Sequence, residues 1–416
     1  MSTVTAVLVG AGQRGLFAYG GYALDHPEEF TYVAVAEPDP QRRALFAERF
    51  GVPAEKCYET WEELFAQPKL ADAAVICTPD NLHYAPAQAA AAAGYDLLLE
   101  KPMSKDPAEC MDIAAWPEKY GVTVTVCHVL RYTTFFTTIK RLLDSGRIGQ
   151  LISVDLNENI AFWHFAHSFV RGIWRRSDET SPVILAKSCH DLDLLRWLVD
   201  APCTSVASYG SLSHFTSEHA PAGATPRCLD CPVADCPYSA VRIYGIAPKG
   251  SWPRTALTLD EEAYPVEQAL REGPYGRCVY FCDNDVPDHQ VVGLEFANQV
   301  TATFTLSAFT LPMSRTIKLM GSRGEIRGDM DTDRLEVADF MAFSTEVIQL
   351  EPTQMGHGDG DEGIMRDFIA RVSSRGGTEA LTSAQASVES HLMALAAEAS
   401  RLEHRMVTLA EFAPAA

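Results

Sequence analysis

Gly10-Ala11-Gly12-Gln13-Arg14-Gly15 follows the apolar run Val4–Val9 and opens a helix-forming stretch. Glycines at this spacing allow a tight turn at Gly10, close approach of a diphosphate at Gly12, and close helix–strand packing at Gly15. Backbone N–H groups at the helix start, around Gln13 and Arg14, then face the phosphates. Glu37 ends the next strand, 22 residues past Gly15. An acid there binds a ribose 2′-hydroxyl and repels a 2′-phosphate, which favours NAD over NADP. Arg42 and Arg43 argue the other way.

A second set of residues suits proton transfer. Lys101 lies in a Glu-Lys-Pro turn at the end of an apolar strand, the end at which parallel sheets bind ligands. A buried lysine near another cation can act as the base that takes a hydroxyl proton while hydride leaves the same carbon. A surface lysine paired with Glu100 is the bland alternative. His190 opens a helix and can donate to or relay from that hydroxyl, or only cap the helix. Lys187 stands three residues earlier, to stabilise an enolate or serve as a second acid/base, or else to pair with Asp191 or Asp193. Asp191 either binds substrate hydroxyls or caps the helix. His128, Arg131 and Tyr132 follow the last strand of the first unit, where Tyr132 either donates a proton or packs.

The segment 163–176 is basic and aromatic: Trp163, His164, His167, Arg171, Trp174, Arg175. Trp faces stack on sugar C–H surfaces, and Arg and His bind hydroxyls or anionic groups. Arginines that merely offset Asp178 and Glu179 are the alternative. Cys228, Cys231 and Cys236, with Cys278 and Cys282 further on, either ligate a structural zinc or remain free thiols in a proline-rich loop.

The elements that must position these groups alternate at first. Strands at 4–9, 32–36, 73–77, 96–99 and 122–127 interleave with helices at 40–50, 82–93 and 107–119. That pattern predicts a doubly wound parallel sheet over residues 1–130. Residues 131–416 predict an α+β domain with an open, mainly antiparallel sheet. It has a helix at 183–199, a Cys/Pro-rich insertion at about 215–285, and C-terminal helices at 362–374 and 383–404.

The chain has 416 residues and a formal net charge of −21. That sign disfavours nucleic acid and anionic membranes as partners. Without a basic leader, a spanning apolar run or a secretory context for its 11 cysteines, the chain is expected to be cytoplasmic.

The glycine fingerprint, Thr78-Pro79-Asp80-Asn81-Leu82-His83, Glu100-Lys101-Pro102, Ser145-Gly146-Arg147-Ile148-Gly149 and His190-Asp191-Leu192-Asp193 together resemble the glucose–fructose oxidoreductase / inositol dehydrogenase / rhizopine-catabolism (Gfo/Idh/MocA) family. The resemblance covers nearly the whole chain. It implies a Rossmann domain, an α/β domain whose open sheet face is often used to form a homo-oligomer (dimer or tetramer), and hydride exchange between NAD(P) and a ring hydroxyl. By position it implies that Thr78, Pro79, Asn81, His83 and His128 line the cofactor. Glu100 and Lys101 border both cofactor and substrate, with Lys101 the catalytic lysine and His190 the catalytic histidine. Many members carry Asp four residues before that histidine and Gly two before it. Here Ala186 and Ser188 stand there, and Lys187 is new. The expectation is therefore a sugar-active enzyme with tightly bound NAD, in which oxidation at carbon 3, elimination, water addition and re-reduction give net glycoside hydrolysis. The basic cluster extends this to an anionic sugar, as in a sulfoquinovosidase-like enzyme. The rivals are a net sugar or inositol dehydrogenase and a non-catalytic NAD(H) sensor.

Overall fold

The computed structural model describes residues 3–352, 357–374 and 380–412. Six parallel strands form the first sheet: β1 (Val4–Val9), β2 (Phe30–Ala36), β3 (Cys57–Tyr58), β4 (Ala73–Ile76), β5 (Asp96–Leu99) and β6 (Val124–Val126). Their order is β3-β2-β1-β4-β5-β6, so the order reverses between β1 and β4. Ligands bind at such a switch point, beyond the strand C-termini. Both faces of β1 and β4 are buried, which is why these strands read as unbroken apolar runs.

The second sheet has nine strands: β7 (Leu151–Asn159), β8 (Cys203–Ser211), β9 (His289–Phe296), β10 (Thr301–Ser307), β11 (Ser314–Gly321), β12 (Gly324–Asp329), β13 (Arg334–Asp339), β14 (Ser344–Gln349) and β15 (Val407–Thr408). Their order is β14-β13-β12-β11-β7-β10-β9-β8-β15. All neighbours are antiparallel except β7 and β10. Alternation such as buried Val154, Leu156 and Glu158 on β7 shows one covered and one open face. Helix Cys189–Val199 lies on the covered face, its Leu192, Leu194, Leu195 and Leu198 in the core.

Two predicted elements differ. The helix expected at 183–199 is two helices, Val183–Ala186 and Cys189–Val199, broken at Lys187 and Ser188. The insertion is irregular, as expected, but holds short helices at Ala240–Ile246 and Val266–Glu272. Helix Gly360–Ser374 packs back on the Rossmann core through Ile364, Met365 and Phe368. Helix Ala384–Glu403 touches both sheets' helices and ties the halves together. Among the described residues, no helix is long and apolar enough to cross a membrane.

Candidate active site

The glycine loop sits between β1 and the helical stretch beginning at Arg14. Gly10 has φ +94°, and a Cβ there would lie 2.6 Å from the Cys77 carbonyl oxygen; one on Gly15 would lie 2.5 Å from the Gly10 oxygen. Protein packing therefore demands both glycines. Gly12 differs, because a Cβ there would meet nothing within 4 Å. The open space over Gly12 fits a dinucleotide diphosphate. Glu37 is buried, and its Oε2 accepts the Ala11 N–H at 2.7 Å, Oε1 the Asp39 N–H at 3.0 Å. The carboxylate thus fixes the glycine loop to the end of β2. Arg43 donates to the Glu37 and Pro38 carbonyls instead of reaching outward for a 2′-phosphate.

The Arg14 side chain is committed within the protein, which leaves its backbone N–H as the group available to a phosphate. Its guanidinium holds Glu100 at 2.6 Å and Asp361 at 2.7 Å, so it fastens the glycine loop to the β5 turn and to helix Gly360–Ser374. Burial alone would raise the Glu100 and Asp361 carboxyls, but Arg14 holds both below their ordinary range. Gln13 Nε2 donates to Thr255 Oγ1 at 3.1 Å, so the insertion reaches back to the cofactor loop.

The turn after β4 has Asn81 and Pro79 exposed, while Thr78 donates to the Leu82 carbonyl at 2.9 Å. His83 is buried between the Pro102 and Thr78 oxygens, at 2.6 and 2.7 Å. It clamps the β4 and β5 turns together, with both ring nitrogens on backbone oxygens. The backbone N–H of Lys101 donates to Glu100 Oε2 at 3.0 Å, and its Nζ donates to the Ala186 carbonyl at 2.6 Å. That carbonyl ends helix Val183–Ala186, so the helix break supplies the oxygen that orients the ammonium.

His190 lies just beyond the break. It is 2% exposed and neither ring nitrogen has a hydrogen-bond partner. The rings of His357 and His128 stand 5.4 and 5.7 Å from it. Burial, reinforced by Lys101 and His357, pushes its pKa well down, so the imidazole is neutral near pH 7. Two unpaired nitrogens, one donor and one acceptor, suit a ligand hydroxyl.

Lys187 pairs with Glu158, 3.3 Å away, and not with Asp191 or Asp193. Burial lowers its pKa, aided by Arg315 and Lys101 and opposed by Glu158. Arg315 bonds Asp191 at 2.7 Å and also pairs with Glu158. Burial lifts Asp191 to about 6. Asp191 is thus a partner of Arg315 and neither an open hydroxyl ligand nor a simple cap. Glu158, Arg315, His357 and Asp361 complete the site and were absent from the sequence reading. Glu158 was hidden in a strand alternation and Arg315 at a strand start; nothing local marks either as functional.

Several other expected residues sit elsewhere. Tyr132 donates to Asp367 at 2.7 Å, and burial with Asp367 raises its pKa far above the ordinary phenol; it packs under helix Gly360–Ser374 and is no proton donor to this site. Arg131 is buried against Asp193 at 2.6 Å and has no reach to a substrate. Asp193 and Ser390 lie 3.7 and 3.5 Å from the buried His128. Arg171 is 1% exposed and donates to the Arg277 and Tyr238 carbonyls. Arg175 pairs with Asp283 and Glu179. His167 bonds the Tyr244 hydroxyl at 2.7 Å and stacks on Tyr275; burial pushes its pKa to about 3. Trp174 donates to Asp80 at 3.0 Å. Trp163 and His164 form an aromatic wall with Trp252 of the insertion, at 5.3 and 4.8 Å between ring centres. Lys187, His167, Arg315 and His357 all act electrostatically on His164, which places this wall beside the charged cluster. Cys228, Cys231 and Cys236 form no disulfide, and among the described residues no three cysteine sulfurs lie within 4.8 Å of one another.

The family comparisons bear on both halves. Residues 4–128 match the Gfo/Idh/MocA model described as oxidoreductase family, NAD-binding Rossmann fold; residues 140–409 match that family's C-terminal alpha/beta domain. The chain is 24% identical over 359 residues to the putative oxidoreductase YteT of Bacillus subtilis, covering 82% of each. It is 26% identical over 215 residues to a 2,7-anhydro-N-acetylneuraminate hydratase of Mediterraneibacter gnavus, spanning 51% of this chain and about half, 54%, of that relative. An oxidoreductase from Agrobacterium radiobacter, solved with NAD+, L-tartaric acid and magnesium, superposes with a TM-score of 0.72 at 18% identity, over 99% of this chain and 100% of that one.

Proposed function

Because the chain belongs to the Gfo/Idh/MocA oxidoreductase family and has its NAD-binding Rossmann fold, we propose that it transfers hydride at a ring hydroxyl, carbon 3 favoured, of a pyranoside. We propose further that the net reaction is redox-neutral glycoside hydrolysis. The observation that carries this reading is the gathering of Lys101, Lys187 and His190 at one end of the parallel sheet, with both nitrogens of His190 unpaired. A net dehydrogenase needs one group to take the hydroxyl proton. Elimination and water addition require further acid/base groups, and Lys187, with its lowered pKa, is one. The hydratase relative supports the same direction, since its printed activity is not a net oxidation.

Bound NAD supplies the hydride acceptor and donor. The loop around Gly12, fixed by the Ala11–Glu37 contact, would hold it, and the Thr255–Gln13 hydrogen bond ties the insertion to that loop. Lys101, oriented by the Ala186 carbonyl, takes the proton of the hydroxyl being oxidised. His190 positions that hydroxyl, and Lys187 moves the proton at the neighbouring carbon. Trp163 and Trp252 offer faces to the sugar or its aglycone. An uncharged sugar fits best. Arg171 and Arg175 are committed elsewhere, and around the site Arg14, Lys101, Lys187 and Arg315 stand against Glu100, Asp361, Glu158 and Asp191, cation for carboxylate. The sulfosugar expectation loses its support.

The test is a panel of nitrophenyl glycosides with catalytic NAD, following aglycone and NADH together. Aglycone release without matching NADH, abolished in Lys101→Ala, is the expected result. NADH accumulating on free sugars with glycosidic bonds intact would make the protein a net sugar or inositol dehydrogenase, the alternative that the same residues could serve.

A further inference from the structure

The insertion carries a feature that hydride transfer does not use. Five of the 11 cysteines lie between residues 228 and 282 and all are free. Four of them, Cys228, Cys231, Cys236 and Cys278, line one cavity of about 260 Å³. Chain pairing brings the fourth in. Arg227 and Arg277 form an antiparallel bridge, and the Cys278 N–H donates to the Pro226 carbonyl at 2.9 Å. Cys282 is outside this ring, its thiol spent on the Cys278 carbonyl at 3.3 Å.

The second observation is Arg171. It is 1% exposed and, among the described residues, no carboxylate pairs with it. Its Nη2 lies 3.6 Å from Cys228 Sγ, and its Nη1 has no partner. A buried guanidinium without an anion is costly. Neutral thiols leave that charge uncompensated, whereas thiolates around a divalent ion compensate it.

We propose that Cys228, Cys231, Cys236 and Cys278 bind one structural Zn2+ as a tetrathiolate, with Arg171 as its buried counter-cation. Four thiols lose four protons to solvent, four Zn–S bonds form, and no electron is transferred. The centre carries two negative charges, of which Arg171 offsets one. Zn–S bonds of about 2.3 Å require the sulfurs to draw together. In the structure they ring the cavity without three of them closing to 4.8 Å, so binding tightens the loop. That loop is a single short turn, Cys228–Asp230, flanked by irregular chain, and tightening it breaks no regular element. The ion then staples the two ends of the segment that carries Trp252, beside Trp163, and Thr255, bonded to Gln13.

The experiment is metal analysis of the full-length protein, purified without chelator and passed over a desalting column. One zinc per chain is expected, retained after dialysis and released by a thiol-modifying mercurial. Cys236→Ser and Cys278→Ser should lose at least nine-tenths of the metal, while Cys282→Ser keeps it. Cobalt exchanged into the wild-type chain should give the intense sulfur-to-metal charge-transfer and visible bands of a tetrahedral thiolate site, a readout that needs no variant to fold. Less than a tenth of an equivalent of zinc after growth in zinc, no cobalt–thiolate bands, or equal metal loss in Cys282→Ser and Cys278→Ser would overturn the assignment. None of these readouts depends on catalytic activity.

Discussion

Lowering the pH from 7.5 to 5 should destabilise the protein because of its buried neutral histidines. His167 and His391 both have pKa values pushed by burial to about 3, against about 6.5 when unfolded. A folded pKa below the unfolded one means that the unfolded chain binds the extra proton. The stability is then fully present above about 6.5 and lost as pH falls toward 3. At pH 5 each of these histidines costs about 2 kcal/mol relative to pH 7.5. Asp191 acts oppositely. Its pKa is raised to about 6, so it gains stability as pH falls through that value, about 1 kcal/mol by pH 5. The net is a loss of about 3 kcal/mol, before His128, His164 and His190 add to it in the same direction. With an unfolding entropy of roughly 2 cal/mol/K per residue, the melting temperature falls by at least about 3 °C. Differential scanning fluorimetry at constant ionic strength measures this. His391→Gln keeps an acceptor for the Met103 N–H, which His391 Nε2 accepts at 2.9 Å, and should remove part of the slope. A melting temperature that is flat or rises between pH 7.5 and 5 would refute the reasoning.

Other outcomes follow from the same geometry. Gly12→Ala should leave the melting temperature within about 1 °C yet weaken NAD binding at least tenfold by calorimetry, because the methyl enters open space meant for the diphosphate. Gly15→Ala should instead cost about 1–3 kcal/mol in urea unfolding, its Cβ pressed on the Gly10 oxygen. Arg315→Met leaves Glu158 and Asp191 buried, with only Lys187 to answer Glu158, and should cost about 3–5 kcal/mol in the same assay. Tyr132→Phe should leave turnover on any accepted glycoside within about twofold, since its hydroxyl serves Asp367; a loss of a hundredfold would restore it as a proton donor.

The sheets and the cofactor loop were legible because local rules decide them. Gly15 is dictated by Gly10 and Leu8 within one strand–turn–helix unit, whereas Gly10 answers to Cys77 after β4 and Glu37 to Ala11 across β1 and β2, a pairing that the repeated strand–helix pattern itself implies. Lys101 and His190, the proposed acid/base pair, were legible from motif, and so was Lys187, but not its partner. Glu158 lies on β7 and Arg315 on β11, 157 positions apart in the chain, and only the register Glu158 to Arg315 makes them neighbours. The same limit hid where the 163–176 segment points. Its arginines read either as a substrate surface or as offsets to Asp178 and Glu179; Arg175 does pair with Glu179, but it also reaches Asp283, and Arg171 turns into the insertion toward the Arg277 and Tyr238 carbonyls. The helix over 183–199 was predicted as continuous because its apolar spacing persists through Lys187 and Ser188. Burial of Lys187 against Glu158 and the start of the next helix at Cys189 decide the break.

The central claim is that hydride leaves and returns to the same sugar carbon during glycoside cleavage. A glycoside accepted in the panel, carrying deuterium at carbon 3 and turned over with unlabelled NAD in ordinary water, tests it by mass spectrometry of the released sugar. The account predicts that deuterium stays at carbon 3 and that no NADH accumulates. Release of the sugar with deuterium transferred to free NADH, or cleavage that proceeds unchanged in Lys101→Ala, would contradict it.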